Sequence, residues 1–204
     1  MSDDRKAHWE GVYTTKADDS VSWFEESPAF SVSLIEAANP ARGAAIDIGG
    51  GASRMPEALL GLGFAEVACL DLSAAALDVA QQRMGSLGEK IRWIVAEITQ
   101  WTPDRTYDLW HDRAVFHFLT APQDQARYAA AINAGVAPGG IAIIGTFAPD
   151  GPERCSGLPV MRHDGQSLSA IFGADFSLLS ETRHDHHTPG GAVQKFQFSI
   201  FRKV

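Results

Sequence analysis

The stretch Ala44-Ala45-Ile46-Asp47-Ile48-Gly49-Gly50-Gly51-Ala52-Ser53 constrains the fold more than any other part of the chain. An apolar run carrying one acid enters a glycine turn and then a helix pattern. Gly49 and Gly51 permit positive φ and a close backbone approach to a ligand. Asp71 follows Gly51 by twenty residues, at the end of a second apolar run. An acidic strand end, a glycine loop and a second acidic strand end suit a nucleoside-type ligand, whose ribose diol the second carboxylate accepts. The alternatives are a glycine-rich turn with a structural Asp47, and an Asp71 that caps the next helix, although Ser73 already fills that role.

The surrounding pattern extends this unit. Apolar runs at 44–49, 65–71, 91–96, 107–111 and 141–147 alternate with helix patterns at 53–62, 74–87 and 122–135. Such alternation implies right-handed βαβ crossovers and a parallel sheet. Ile141-Ala142-Ile143-Ile144 is apolar throughout, as expected of a strand covered on both faces. The segments 175–187 and 192–203, joined by Thr188-Pro189-Gly190-Gly191, read as an antiparallel pair. Alternation over Gln194–Phe201 predicts that its second strand is half-exposed. Two helices, 4–15 and 28–38, precede the core, the second capped by Ser27 with Pro28 in its first turn. The expected fold is therefore α/β, three-layered and doubly wound, with a mostly parallel seven-stranded sheet. The loop 148–166, rich in Pro, Gly and charge, is expected to serve the site.

Composition limits the partners. The formal net charge is −8, which argues against nucleic acid. No apolar stretch reaches membrane-span length, and Met1–Lys6 is polar with no hydrophobic segment behind it, so a cytoplasmic protein is expected. The two cysteines, Cys69 and Cys155, form no CxxC pair. His184-Asp185-His186-His187 invites a metal reading, with Cys155 and His163 as added ligands. In a strand, however, only positions 184 and 186 share a face, so a solvated strand end is expected and no metal.

Taken in order, these segments resemble the class I S-adenosylmethionine-dependent methyltransferases, a Rossmann-like family. Asp47-Ile48-Gly49-Gly50-Gly51 looks like its first motif, and Cys69-Leu70-Asp71-Leu72-Ser73 like its second strand with the ribose-binding acid. Ala96-Glu97-Ile98-Thr99 resembles the third strand end, Tyr107–Arg113 the fourth strand, and Pro138-Gly139-Gly140 the turn before the fifth. His8-Trp9-Glu10-Gly11-Val12-Tyr13 is similar to the N-terminal Trp-x-x-x-Tyr of one branch, whose N-terminal segment folds over the cofactor. That branch includes protein-lysine methyltransferases with Asp-Lys-Gly-Thr-x-Asp after the fourth strand. This chain has Asp112-Arg113-Ala114-Val115-Phe116-His117, which departs from it. The resemblance implies a single domain, 1–204, with a helical lid at 1–40 and the core at 41–204.

It also implies S-adenosyl-L-methionine as methyl donor and S-adenosyl-L-homocysteine as product. Asp47, Gly49 and Gly51 would meet the amino-acid end, Asp71 and Leu72 the ribose side, and Glu97 and Ile98 the adenine. Trp9 and Tyr13, one helical turn apart, would form the lid, or else dock the helix on the sheet. Trp23 and Phe24 would wall the acceptor pocket, and Trp101 would border the adenine or lie in the core. Asp112 would orient the cofactor's amino group or an acceptor amine. His117 would be a general base, or a packed helix-face residue. Arg154 and Arg162 would bind an anionic acceptor, or be surface charges. The expected acceptor is a small molecule or a protein side chain, and the expected assembly a monomer or homodimer. The competing readings are an NAD(P)-dependent oxidoreductase and a non-catalytic S-adenosylmethionine-binding protein. The first needs a third glycine where Arg54 stands.

Overall fold

The computed structural model describes residues 2–15 and 17–204. Met1 and Lys16, both in the expected lid segment, lie outside the described residues. In chain order the elements are α1 (Ser2–Thr15), α2 (Ala29–Ala38), β1 (Ala44–Ile48), α3 (Met55–Gly61), β2 (Glu66–Asp71), α4 (Ala74–Met84), β3 (Ile91–Val95) and β4 (Tyr107–Arg113). They continue with α5 (Pro122–Gly135), β5 (Val136–Phe147), the short hairpin β6 (Arg154–Cys155) and β7 (Leu158–Pro159), α6 (Gly165–Phe172), β8 (Phe176–His187) and β9 (Val193–Lys203).

The seven-stranded sheet runs β3-β2-β1-β4-β5-β9-β8. β3, β2, β1, β4 and β5 are mutually parallel; β9 is antiparallel to β5 and to β8. The chain winds outward from β1 to β3 and then resumes at β4, on the other side of β1. This reversal opens a crevice beyond the C-terminal ends of β1 and β4, where ligands of such sheets bind.

All of β1 is buried, Asp47 included, as expected of a strand covered on both faces. One core layer packs Trp110, Phe116, Tyr128, Phe172 and Phe201 beneath α5 and α6. The other packs Leu34, Leu59, Leu77, Phe196 and Phe198 beneath α2, α3 and α4. Trp101 lies at the edge of the first layer, 6.2 Å from Trp110 between ring centroids, and is a core residue.

Four expectations need correction. β9 is not half-exposed: Phe196 through Phe201 are all buried, because β9 is an interior strand between β5 and β8 with helices on both faces. Its polar alternation therefore places Gln197 and Ser199 in the core rather than in solvent. α2 begins at Ala29 with Pro28 at its N-cap and no side-chain cap, so Ser27 does not cap it. The loop 148–166 carries a hairpin and leads into α6, whose capping box pairs Asp164 with Ser167. Finally, His186 is buried: its Nε2 lies 2.8 Å from the Ser22 carbonyl, and His184 stacks on Phe30 at 4.0 Å. The histidine face thus docks α2 and the segment preceding it. Among the described residues, no His, Cys, Asp and Glu cluster could hold a metal ion.

Candidate active site

Ile48 carries β1 into the glycine turn. The Gly49 and Gly50 amides both donate to the Leu70 carbonyl, at 2.6 and 3.3 Å, which ties the turn to the end of β2. Gly49 has φ +66°, and a Cβ there would stand 1.9 Å from Val115 Cγ2, so no side chain fits. At Gly51 (φ +49°) a Cβ would come within 2.7 Å of the Tyr13 hydroxyl and 3.3 Å of Asp71 Oδ2. A side chain at Gly51 would therefore crowd Tyr13 and Asp71.

Around this turn lie two adjoining cavities. The first, of about 770 Å³, is lined by Asp71, Leu72, Glu97 and Ile98 along one wall and by Trp9, Tyr13, Trp23 and Phe118 along the other. The second, of about 620 Å³, lies between the glycine turn and the segment 18–28, and reaches Asp47, Ser53, Arg54, Phe24 and Glu25. Tyr13, Trp23, Gly49 and Arg113 line both cavities, so the two meet there.

α1 covers the first cavity. Glu10 accepts from the Ala74 and Ala75 amides at 2.8 and 3.3 Å, filling unsatisfied donors at the α4 N-terminus. Trp9 packs edge-on against Trp23 (5.4 Å) and Phe118 (5.2 Å), and Trp23 Nε1 donates to the Tyr13 hydroxyl at 3.2 Å. His8 reaches Ser156 of the β6–β7 hairpin at 3.4 Å.

Asp71 is buried, and its Oδ1 accepts from the Ser73 amide at 2.8 Å. Ser73 is itself the α4 cap, accepting from Ala76 at 3.1 Å, so Asp71 is not needed for that task. Burial pushes the Asp71 carboxyl up to about 7 against the pull of backbone amides. A ribose diol donates to the ionised form. Below about pH 7 a ligand must therefore first drive off a proton, and affinity is expected to fall about tenfold for each further pH unit. Calorimetric titration of S-adenosylhomocysteine between pH 5.5 and 8.5 measures this slope; a flat profile contradicts it.

Glu97 Oε1 accepts from the Thr99 amide at 3.3 Å, while Oε2 is buried without a hydrogen-bond partner, 3.9 Å from Arg5 Nε. That oxygen is available to a donor from the ligand. Asp47 is occupied: Oδ1 meets His111 Nδ1 at 2.7 Å and Oδ2 accepts from Ser53 at 3.3 Å. His111 in turn reaches Ser31 at 3.0 Å through Nε2. This network braces the base of the second cavity.

The two residues expected to be catalytic do not line either cavity. Asp112 is fully buried and saturated. Oδ1 accepts from the Val115 amide at 2.9 Å, and Oδ2 accepts from the Phe116 amide at 3.2 Å and the Tyr128 hydroxyl at 2.6 Å. It shapes the turn that delivers Arg113 to Phe118. His117 is also fully buried, between the rings of Phe118 and Phe147 at 4.5 and 4.7 Å. Burial lowers its pKa to about 3, too low to take a proton at neutral pH. The packed alternative describes its position. Arg154 and Arg162 donate to the Gly157 and Gly151 carbonyls, so they fasten their own loop.

Sequence reasoning passed over Arg113, which follows Asp112 at the end of β4. Its Nη1 donates to the Trp23 carbonyl at 3.0 Å, and its guanidinium lies 5.0 Å from the Phe196 ring centroid. Nη2 is 3.1 Å from Glu25 Oε1, an ion pair off the hydrogen-bonding angle, and Nε has no acceptor. Nothing in the local sequence distinguishes such a cation from a surface arginine. Its burial comes from Trp23, Glu25 and Phe196, all remote in the chain.

Residues 45–140 match the family described as "Methyltransferase domain". No curated protein is similar enough in sequence to count as a match. Solved structures of similar fold include an S-adenosylmethionine-dependent methyltransferase from Anabaena variabilis (TM-score 0.77, 12% identity, covering 100% of this chain and 95% of that one). Another is the N-methyltransferase NodS from Bradyrhizobium japonicum, in complex with S-adenosylhomocysteine (TM-score 0.74, 14% identity, 97% and 98%). A third comes from the conversion of a disulfide bond into a thioacetal group during echinomycin biosynthesis (TM-score 0.77, 20% identity, 98% and 92%).

Proposed function

We propose that this chain, a class I S-adenosylmethionine-dependent methyltransferase with its methyltransferase domain over residues 45–140, transfers the methyl group to a small molecule enclosed beneath α1. The observation that carries the reading is the convergence of Asp71, Leu72, Glu97 and Ile98 with the glycine turn in one cleft at the C-terminal ends of β1 to β4. Asp71 would hold the ribose hydroxyls, and the bare Glu97 Oε2 would accept from the adenine amino group with Ile98 beside the ring. The methionine tail would run past Gly49 and Gly51 into the second cavity, whose floor Asp47 braces. Segment 1–40 would act as the lid through Trp9 and Tyr13.

Bound cofactor supplies an activated methyl sulfonium, and the chain's residues bind, align and exclude water. Trp9, Trp23 and Phe118, packed edge to face, would form an apolar wall of the first cavity and help exclude water from it. The net charge of −8 supports a partner other than nucleic acid. Among the described residues no helix is long and apolar enough to cross a membrane.

Titration calorimetry with S-adenosylhomocysteine and with NAD tests the assignment. Micromolar binding of the first with no heat from the second is the expected result, and the opposite pattern refutes it. Release of S-adenosylhomocysteine with a small-molecule acceptor separates an enzyme from a protein that merely binds the cofactor.

A further inference from the structure

We propose that the acceptor offers an atom already anionic when it binds, and that Arg113 selects for that charge. The inference rests on the methyl-transfer reading above. It starts at the junction of the two cavities, where Tyr13, Trp23, Gly49 and Arg113 meet.

The other ionisable groups around the junction are committed or ill suited to removing a proton. Asp47 is held by His111 and Ser53, and both His111 nitrogens are engaged. Glu25 pairs with Arg113 and lies 3.7 Å from His186. Asp71 and Glu97 stand on the nucleoside wall. Burial and the Asp71 charge push the Tyr13 phenol up, and burial raises the Cys155 thiol to about 11, so both remain protonated. Among the described residues that line both cavities, Tyr13, Trp23, Gly49 and Arg113, none is a base that could take the acceptor's proton at neutral pH.

Arg113 points the same way. Its Nε is buried without an acceptor, and its Nη2 has only the misaligned Glu25 oxygen. Glu25 offsets one of two positive charges, the guanidinium and the sulfonium that a bound cofactor would bring, so a net positive charge would remain in this space. An ammonium acceptor would add to it, whereas an anion offsets it and offers the guanidinium charge-assisted hydrogen bonds. The edge-on rings of Trp9, Trp23 and Phe118 call for an apolar or aromatic body behind that anion. The step then balances without a base. The anion's lone pair forms the new bond to the methyl carbon, the methyl–sulfur bond breaks with its pair staying on sulfur, and a neutral thioether and a neutral methylated acceptor result.

Thiophenolate and benzoate are the two anionic probes, with benzylamine and benzyl alcohol as counterparts. Binding to the S-adenosylhomocysteine complex and turnover with S-adenosylmethionine are measured for the native protein, R113Q and R113K. Native protein should bind at least one anion about tenfold more tightly than either counterpart and methylate it, and R113Q should erase that preference while keeping S-adenosylhomocysteine affinity. Thiophenolate turnover assigns sulfur and benzoate turnover assigns oxygen. If R113Q does not fold, R113K is read instead: it should raise KM for the anion about fivefold, because an ammonium lacks the planar fork. The proposal is overturned if neither anion binds, if the counterparts bind equally well, if an anion binds without being methylated, or if the preference survives in R113Q, or in R113K where that is the variant read. A parallel loss of cofactor affinity also overturns it, since Arg113 would then serve the cofactor. Failure of the native protein to bind S-adenosylhomocysteine at all would instead refute the methyltransferase reading.

Discussion

Asp71→Ala is expected to weaken S-adenosylhomocysteine binding by about 100- to 1000-fold at pH 8. Asp71 sits at the end of β2, buried, with Oδ1 on the Ser73 amide. Its role would be to accept from both ribose hydroxyls. Two hydrogen bonds to an ionised carboxylate in a site shielded from water are together worth about 3–4 kcal/mol, and each 1.4 kcal/mol is about tenfold in affinity. The Ser73 amide also loses an acceptor, so some stability is lost as well. Asp71→Asn separates the two effects. It keeps an oxygen for the Ser73 amide but presents an N–H₂ donor where the diol needs an acceptor, so binding should fall while the melting temperature stays near native. Calorimetry on both variants decides the matter: affinity within threefold of native at pH 8 would eliminate the ribose role.

Asp112→Ala should act on folding. Its loss leaves the Val115 and Phe116 amides and the Tyr128 hydroxyl without their buried acceptor. Breaking a fully buried polar cluster of this kind costs about 3–5 kcal/mol. For a chain of this length that lowers the thermal midpoint by roughly 10 °C. Asp112→Asn keeps one acceptor oxygen and should lose less.

The pH dependence supplies a second check. Burial raises Asp112 to about 6, above its unfolded value. The folded state therefore holds the proton more tightly, and this group's contribution to stability is complete below about pH 4 and is lost as pH rises through about 6. The alanine variant should lack that component in denaturant titrations across the window. A variant that folds with native stability but transfers no methyl group would restore a catalytic role to Asp112.

Local sequence determined the alternation of strands and helices, the glycine turn and the acids at the ends of β1 and β2. Those signals depend on side-chain period, backbone permissiveness and charge at a strand end, all of which are properties of neighbouring residues. The parallel core and the reversed pair β8 and β9 were legible for that reason, and Asp71, Leu72, Glu97 and Ile98 come to line one cavity. Tertiary structure decided the rest. β9 became an interior strand because β8 pairs beyond it, which no local alternation records. Asp112 and His117 followed the expected site strand, yet Tyr128 and the rings of Phe118 and Phe147 drew them into the core. Arg113, between the two, became the charged group at the junction because Trp23, Glu25 and Phe196 close around it. Burial and hydrogen-bond partners come from packing across distant segments, and they turn a titratable side chain into a structural brace or a binding group.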